Sequence, residues 1–107
     1  MIDIEKIQQE IVECLKPLKP DKVILFGSYA HGTAGEDSDI DLFLVKDTRT
    51  DSPGSYEIKA RKQLRELIFK YQIGFDVLCA SQAFLESRED YFYKMDILKN
   101  GKVIYAQ

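Results

Sequence analysis

Cysteine and histidine are scarce in this chain: Cys14, Cys79 and His31 are the whole supply. Neither cysteine belongs to a CxxC pair or stands near the histidine in sequence, so no disulfide framework or thiol metal motif is encoded, and both thiols are expected as reduced core residues. Long apolar runs are absent as well. The stretches present are far too short to span a bilayer, and residues 1–9 carry neither an apolar signal core nor a small-residue cleavage site. Membrane insertion and export are therefore not expected, and a cytoplasmic location is. An excess of positive charge is also missing. With 15 Lys and Arg against 18 Asp and Glu, the net charge is −3 and the isoelectric point about 5.1. That balance weighs against a general affinity for nucleic acid, which draws on phosphate neutralisation. A small nucleotide held through metal ions remains compatible.

What is present is an ordinary globular composition. A chain of 107 residues, 45% apolar and 31% charged, suits one domain over 1–107 with a core of its own. Asp3 is positioned to cap a helix whose apolar stripe is Ile4, Ile7, Ile11, Leu15 and Leu18, with Pro17 and Pro20 stopping it. Residues 23–26 form a short β-prone run that ends abruptly at Gly27-Ser28, and residues 40–45 form a second strand. A polar loop over 46–55 leads to a helix over 56–71 with a stripe of Ile58, Leu64, Leu67, Ile68 and Tyr71. On that helix Lys59, Arg61, Lys62 and Arg65 read as a solvated face. Gly74 introduces a third strand over 75–79, Ser81 and Ser87 are candidate caps for two further helical pieces, and residues 102–105 form a final edge strand. Helices interleaved with strands predict an α/β (α+β) sandwich.

The segment that carries chemistry is Gly27-Ser28, then ten residues, then Asp39-Ile40-Asp41-Leu42. Residues two apart on a strand share a face, so Asp39 and Asp41 stand side by side while Ile40 and Leu42 bury opposite them. Two adjacent carboxylates repel unless a cation lies between them. No basic residue flanks them closely, so a divalent metal is the natural candidate, and oxygen-only ligands point to Mg²⁺, with Mn²⁺ as the alternative ion. Asp76 interrupts the apolar run Phe75-Asp76-Val77-Leu78-Cys79, where an ionised group is costly unless paired or metal-bound. Three carboxylates against two Mg²⁺ leave one formal positive charge to grip a triphosphate, as in two-metal phosphoryl and nucleotidyl transfer.

Gly27 lets backbone N–H groups approach phosphate oxygens, a helix beginning after Ser28 would aim its positive end at them, and Ser28 adds a hydroxyl donor. For these groups to meet the carboxylates, the first two strands must be antiparallel, while Asp76 at a strand start after a helical crossover makes the second and third parallel. The sheet is expected to be mixed.

Gly27-Ser28-Tyr29-Ala30-His31-Gly32 followed by Ser38-Asp39-Ile40-Asp41-Leu42 resembles the signature of the DNA polymerase β-like nucleotidyltransferases, and most closely their minimal MNT type. The resemblance implies that fold, with helices packed on a mixed sheet. It also implies Gly27 and Ser28 for the triphosphate, Asp39 and Asp41 for two metal ions, and Asp76 for metal and for activating the acceptor hydroxyl. His31 stands where many relatives carry arginine. Minimal MNT proteins resemble antitoxins working beside a helical HEPN partner, so the implied reaction is AMP transfer from ATP to a tyrosine of such a partner toxin. The alternative is a binding module that neutralises its partner by forming a complex. Two other motifs fall short. The Asp37-x-Asp39-x-Asp41 series lacks the glycine and glutamate of an EF-hand, having Leu42 and Thr48 there, and Gly27 to Gly32 is followed by Thr33-Ala34 rather than by the Walker A lysine and hydroxyl.

Overall fold

Near-continuous apolar runs in the central strands build a sheet with both faces buried there. In the computed structural model, which describes residues 3–35, 37–47, 53–90 and 92–107, the four strands are β1 (Lys22–Phe26), β2 (Ile40–Val45), β3 (Phe75–Ala80) and β4 (Lys102–Ala106), in the spatial order β3-β2-β1-β4. β1 pairs antiparallel with both β2 and β4, while β2 and β3 are parallel. The mixed sheet is the one that the placement of the motifs requires.

Side-chain parity assigns the two faces. Val23 and Leu25 of β1, with Ile40, Leu42 and Leu44 of β2 and Val77 and Cys79 of β3, pack against α1 (Ile4–Leu15) and α3 (Pro53–Tyr71). Ile24, Phe26, Phe43, Val45 and Ala80 face the other way, onto Leu85 of α4 (Gln82–Ser87) and Ile97 of the π-helix Phe92–Lys99. No helix among the described residues is long and apolar enough to cross a membrane.

α1 starts where its cap dictates, with Asp3 Oδ1 accepting from the N–H groups of Glu5 at 3.1 Å and Lys6 at 3.5 Å. It ends at Leu15, and Pro17 lies in a separate 3₁₀ turn over Lys16–Leu18, so the expected stripe is interrupted one turn before Leu18. α1 and α3 are tied by Lys70 Nζ to Glu10 Oε1 at 2.6 Å and by the Tyr71 hydroxyl, which donates to Glu10. β3 is an outer strand, and α3 covers its exposed edge with side chains. Glu57 Oε1 accepts from the Cys79 N–H at 2.8 Å, and Arg61 reaches the Val77 carbonyl at 3.4 Å. Arg61 is thus engaged with the sheet rather than wholly solvated.

Further expectations need correction. α3 begins at Pro53, and its buried stripe is Tyr56, Ala60, Leu64 and Leu67, whereas Ile58 is 57% exposed. Ser81 caps α4, accepting from Phe84 N–H at 3.1 Å, but Ser87 closes that helix instead of opening the next one, its hydroxyl donating to the Phe84 carbonyl at 2.8 Å. The last helical piece has π geometry, seen where Asn100 N–H donates five residues back to the Met95 carbonyl at 2.8 Å. Residues 48–52 of the expected polar loop lie outside the described residues. Both cysteines are free thiols, Cys79 buried and Cys14 half-buried, and burial together with the nearby Glu57 charge pushes the Cys79 thiol up to about 12.

Candidate active site

β1 ends at Phe26 opposite Asp41 of β2, and Asp41 is in turn level with Asp76 of β3. One row across three strands therefore carries two carboxylates. By strand alternation Asp41 shares its face with Phe43 and Val45, and Asp76 shares the same face with Leu78 and Ala80. Asp39, two residues before Asp41, precedes the strand start. The helices on this side cover the far end of the face, around Phe43 and Ala80. The near end is open, with Asp39 and Asp76 exposed and Asp41 half-buried.

The turn after β1 is shaped around Asp41. Gly27 has φ 73° and ψ −154°, a conformation open essentially to glycine alone. The Cβ that it lacks would lie 2.1 Å from Asp41 Oδ2, so the carboxylate occupies the space a side chain would need. The Gly27 carbonyl accepts from Ala30 N–H at 3.1 Å and His31 N–H at 3.2 Å, which closes α2 (Ser28–His31) as one turn. Such a turn is too short for the helix-dipole contribution expected from the sequence. What it offers an anion is local: the N–H groups at its start and the Ser28 hydroxyl. His31 ends the turn and is exposed.

A second glycine stands against Asp39. A Cβ on Gly74, just before β3, would lie 2.6 Å from Asp39 Oδ1, and the Gly74 carbonyl accepts from Ile40 N–H at 3.0 Å. In the sequence Gly74 reads only as the residue that introduces a strand. Its proximity to Asp39 follows from the parallel register, which motif spacing does not encode.

Burial, then the charge of Asp76, then that of Asp39, raise the pKa of Asp41 above its ordinary value of 3.8. Among the described residues no cationic side chain contributes to that balance. The donor set is all oxygen and lies next to the Gly27-Ser28 turn, which fits a hard divalent cation such as Mg²⁺. Among the described residues no three His, Cys, Asp or Glu side chains converge into a metal cage of their own. An open row of this kind suits Mg²⁺, which is commonly bound through one or two carboxylates and completed by substrate phosphates and water.

The site thus combines a mixed sheet, a Gly-Ser turn and three acidic residues at or beside the adjoining strand ends. The chain belongs to the family described as polymerase beta, nucleotidyltransferase, whose model it matches over residues 9–107. It is 32% identical over 104 residues to the "Putative protein adenylyltransferase MJ0604" of Methanocaldococcus jannaschii, a match covering 94% of this chain and 97% of the relative. A second protein of that organism, MJ0141, bears the same description and is 37% identical over 76 residues, covering 70% of this chain and 69% of its own length. Among solved structures, the fold is that of a chain in a toxin–antitoxin structure with AMP-PNP, at a TM-score of 0.64, 22% identity and coverage of 94% and 73%. A substituted form of the toxin–antitoxin pair MntA–HpeT gives a TM-score of 0.63 at 18% identity, with the same coverages. The protein is therefore an enzyme of the nucleotidyltransferase class.

Proposed function

We propose that this nucleotidyltransferase moves AMP from ATP onto a hydroxyl of a partner protein, a tyrosine of a HEPN-type toxin, in a reaction dependent on Mg²⁺. The observation that carries the reading is the row in which Asp41 and Asp76 stand side by side on adjacent parallel strands, with Gly27 closed onto Asp41. The protein adenylyltransferase description of two relatives supports AMP as the transferred group and a protein as the acceptor. The toxin–antitoxin context of the structural neighbours supports the kind of partner.

In this reading the Gly27-Ser28 turn holds the triphosphate through backbone N–H groups and the Ser28 hydroxyl. Asp39 and Asp41 hold two metal ions, with Asp76 completing the set. When bound, the ions neutralise the triphosphate and lower the pKa of the acceptor hydroxyl. Asp76, exposed at the open end of the face, takes the proton from that hydroxyl as its oxygen attacks the α-phosphorus. The bond from the α-phosphorus to the bridging oxygen breaks, and pyrophosphate leaves. The exposure of Asp39 and Asp76 suits an acceptor that arrives on a second protein.

The test is to mix the purified protein with ATP, Mg²⁺ and the product of the neighbouring gene as candidate partner, then weigh both chains by intact mass spectrometry. One or more AMP adducts on the partner, lost with Asp39→Asn, are expected. A tight, inhibitory complex that carries no adduct and forms equally well with Asp39→Asn would instead favour neutralisation by occlusion.

A further inference from the structure

Two glycines flank the acidic pair, and they differ in what they contribute. Gly27 is bound to its place twice over, by its positive φ of 73° and by the Asp41 carboxylate 2.1 Å from where a Cβ would be. Gly74 has no positive φ, so φ does not by itself require glycine there. Its carbonyl bond to Ile40 N–H needs no particular side chain. Among the described residues, the feature that calls for glycine at position 74 is Asp39, whose Oδ1, Cγ and Oδ2 lie 2.6, 3.1 and 3.6 Å from where a Cβ would be.

We infer that Gly74 is a positioning residue for nucleotidyl transfer: its bare Cα is the seat on which the Asp39 carboxylate rests, level with the start of β3 and beside Asp76. The inference rests on the assignment of Asp39 to the metal pair. A methyl group at position 74 meets the far end of an exposed side chain rather than backbone. Asp39 therefore swings away at little cost to the fold, and the cost falls on the site. Each carboxylate of the Asp39-x-Asp41 pair is thus seated on a glycine from a neighbouring segment, Asp41 on the end of β1 and Asp39 on the approach to β3. The approach to β3 and its start thereby supply the site twice, through the side chain of Asp76 and through the missing side chain of Gly74.

The experiment compares the parent, Gly74→Ala, Asp39→Asn and the double variant by calorimetric binding of α,β-methylene-ATP across a Mg²⁺ titration, a readout without turnover. Gly74→Ala is expected to raise the Mg²⁺ concentration for half-maximal nucleotide binding on the order of tenfold, the effect usual for residues that orient metal ligands. Saturating Mg²⁺ should restore parental nucleotide affinity, which a misfolded chain could not show, and the thermal midpoint should stay within about 3 °C of the parent. In the Asp39→Asn background Gly74→Ala should add nothing, because the group it positions is already lost. A parental Mg²⁺ dependence in Gly74→Ala, alongside a shifted Asp39→Asn, would overturn the positioning role and leave the role of Asp39 standing. An equal further shift on adding Gly74→Ala to Asp39→Asn would also overturn it, by showing a general structural effect. Parental behaviour of Asp39→Asn itself would remove the role of Asp39 and this inference with it.

Discussion

Asp41 of β2 and Asp76 of β3 are direct partners in the parallel ladder, so two carboxylates sit at one level on adjacent strands of the same face. Their repulsion adds to the burial of Asp41 in opposing its ionisation. In the proposed reading, a divalent cation bound there would offset that cost.

That cost predicts the behaviour of Asp41→Asn. A carboxyl whose pKa is raised in the folded state binds its proton more tightly there than in the unfolded chain. It is neutral in both states well below its ordinary pKa of 3.8, and no penalty exists there. The penalty grows as pH rises from that value and is complete above the raised folded pKa. At neutral pH without metal, Asp41→Asn should therefore melt at a higher temperature than the parent, the gap closing as pH falls into the carboxylate range. Transfer should drop on the order of a thousandfold, as when a main stabiliser of transition-state charge is removed. Scanning fluorimetry in chelator across pH, with an activity assay, checks both. A variant less stable than the parent at neutral pH would contradict the assigned environment.

Gly27→Ala should lose both stability and function. An L residue forced into this glycine-only conformation costs about 1–3 kcal/mol, and the new methyl group must also expel the Asp41 carboxylate. Chemical denaturation should show the loss together with abolished nucleotide binding. Stability equal to the parent would mean that the turn relaxes in a way this geometry does not allow.

Glu57→Ala should be purely structural. It strips the acceptor from the Cys79 N–H on the outer edge of β3 and should cost about 1 kcal/mol, with Mg²⁺-dependent nucleotide binding unchanged. Denaturant midpoints and binding titrations separate the two effects, and a change in metal dependence would contradict the assignment.

Strand directions were legible in the sequence because chemistry constrains them: Gly27-Ser28 meets Asp39 and Asp41 only if β1 and β2 are antiparallel, and Asp76 joins them only if β3 runs parallel to β2. The phase of α3 was harder to read. Its inward stripe runs through Tyr56 and Ala60, a half-polar and a small residue whose periodicity is faint beside the more apolar Ile58, which sits about 200° round the helix from Tyr56. Leu64→Ala at a fully buried position should accordingly cost about 2–5 kcal/mol, whereas Ile58→Ala should stay within about 0.5 kcal/mol of the parent. Comparable losses at both positions in urea denaturation would restore the sequence-based stripe. Ser87 misled for a local reason, since serine hydroxyls serve the last turn of a helix as readily as the first. Gly74 was invisible as a site residue because its role is a clash avoided between segments far apart in sequence.

The central claim is nucleotidyl transfer to a partner protein, and the position of the label decides it. The protein should be incubated with Mg²⁺, the proposed HEPN-type partner and ATP labelled at either the α- or the γ-phosphate, and the partner then isolated under denaturing conditions. The α label should appear on a tyrosine of the partner and the γ label only in released pyrophosphate, with incorporation lost in Asp39→Asn, Asp41→Asn and Asp76→Asn. Incorporation of the γ label, or α incorporation that survives these substitutions, would contradict the account.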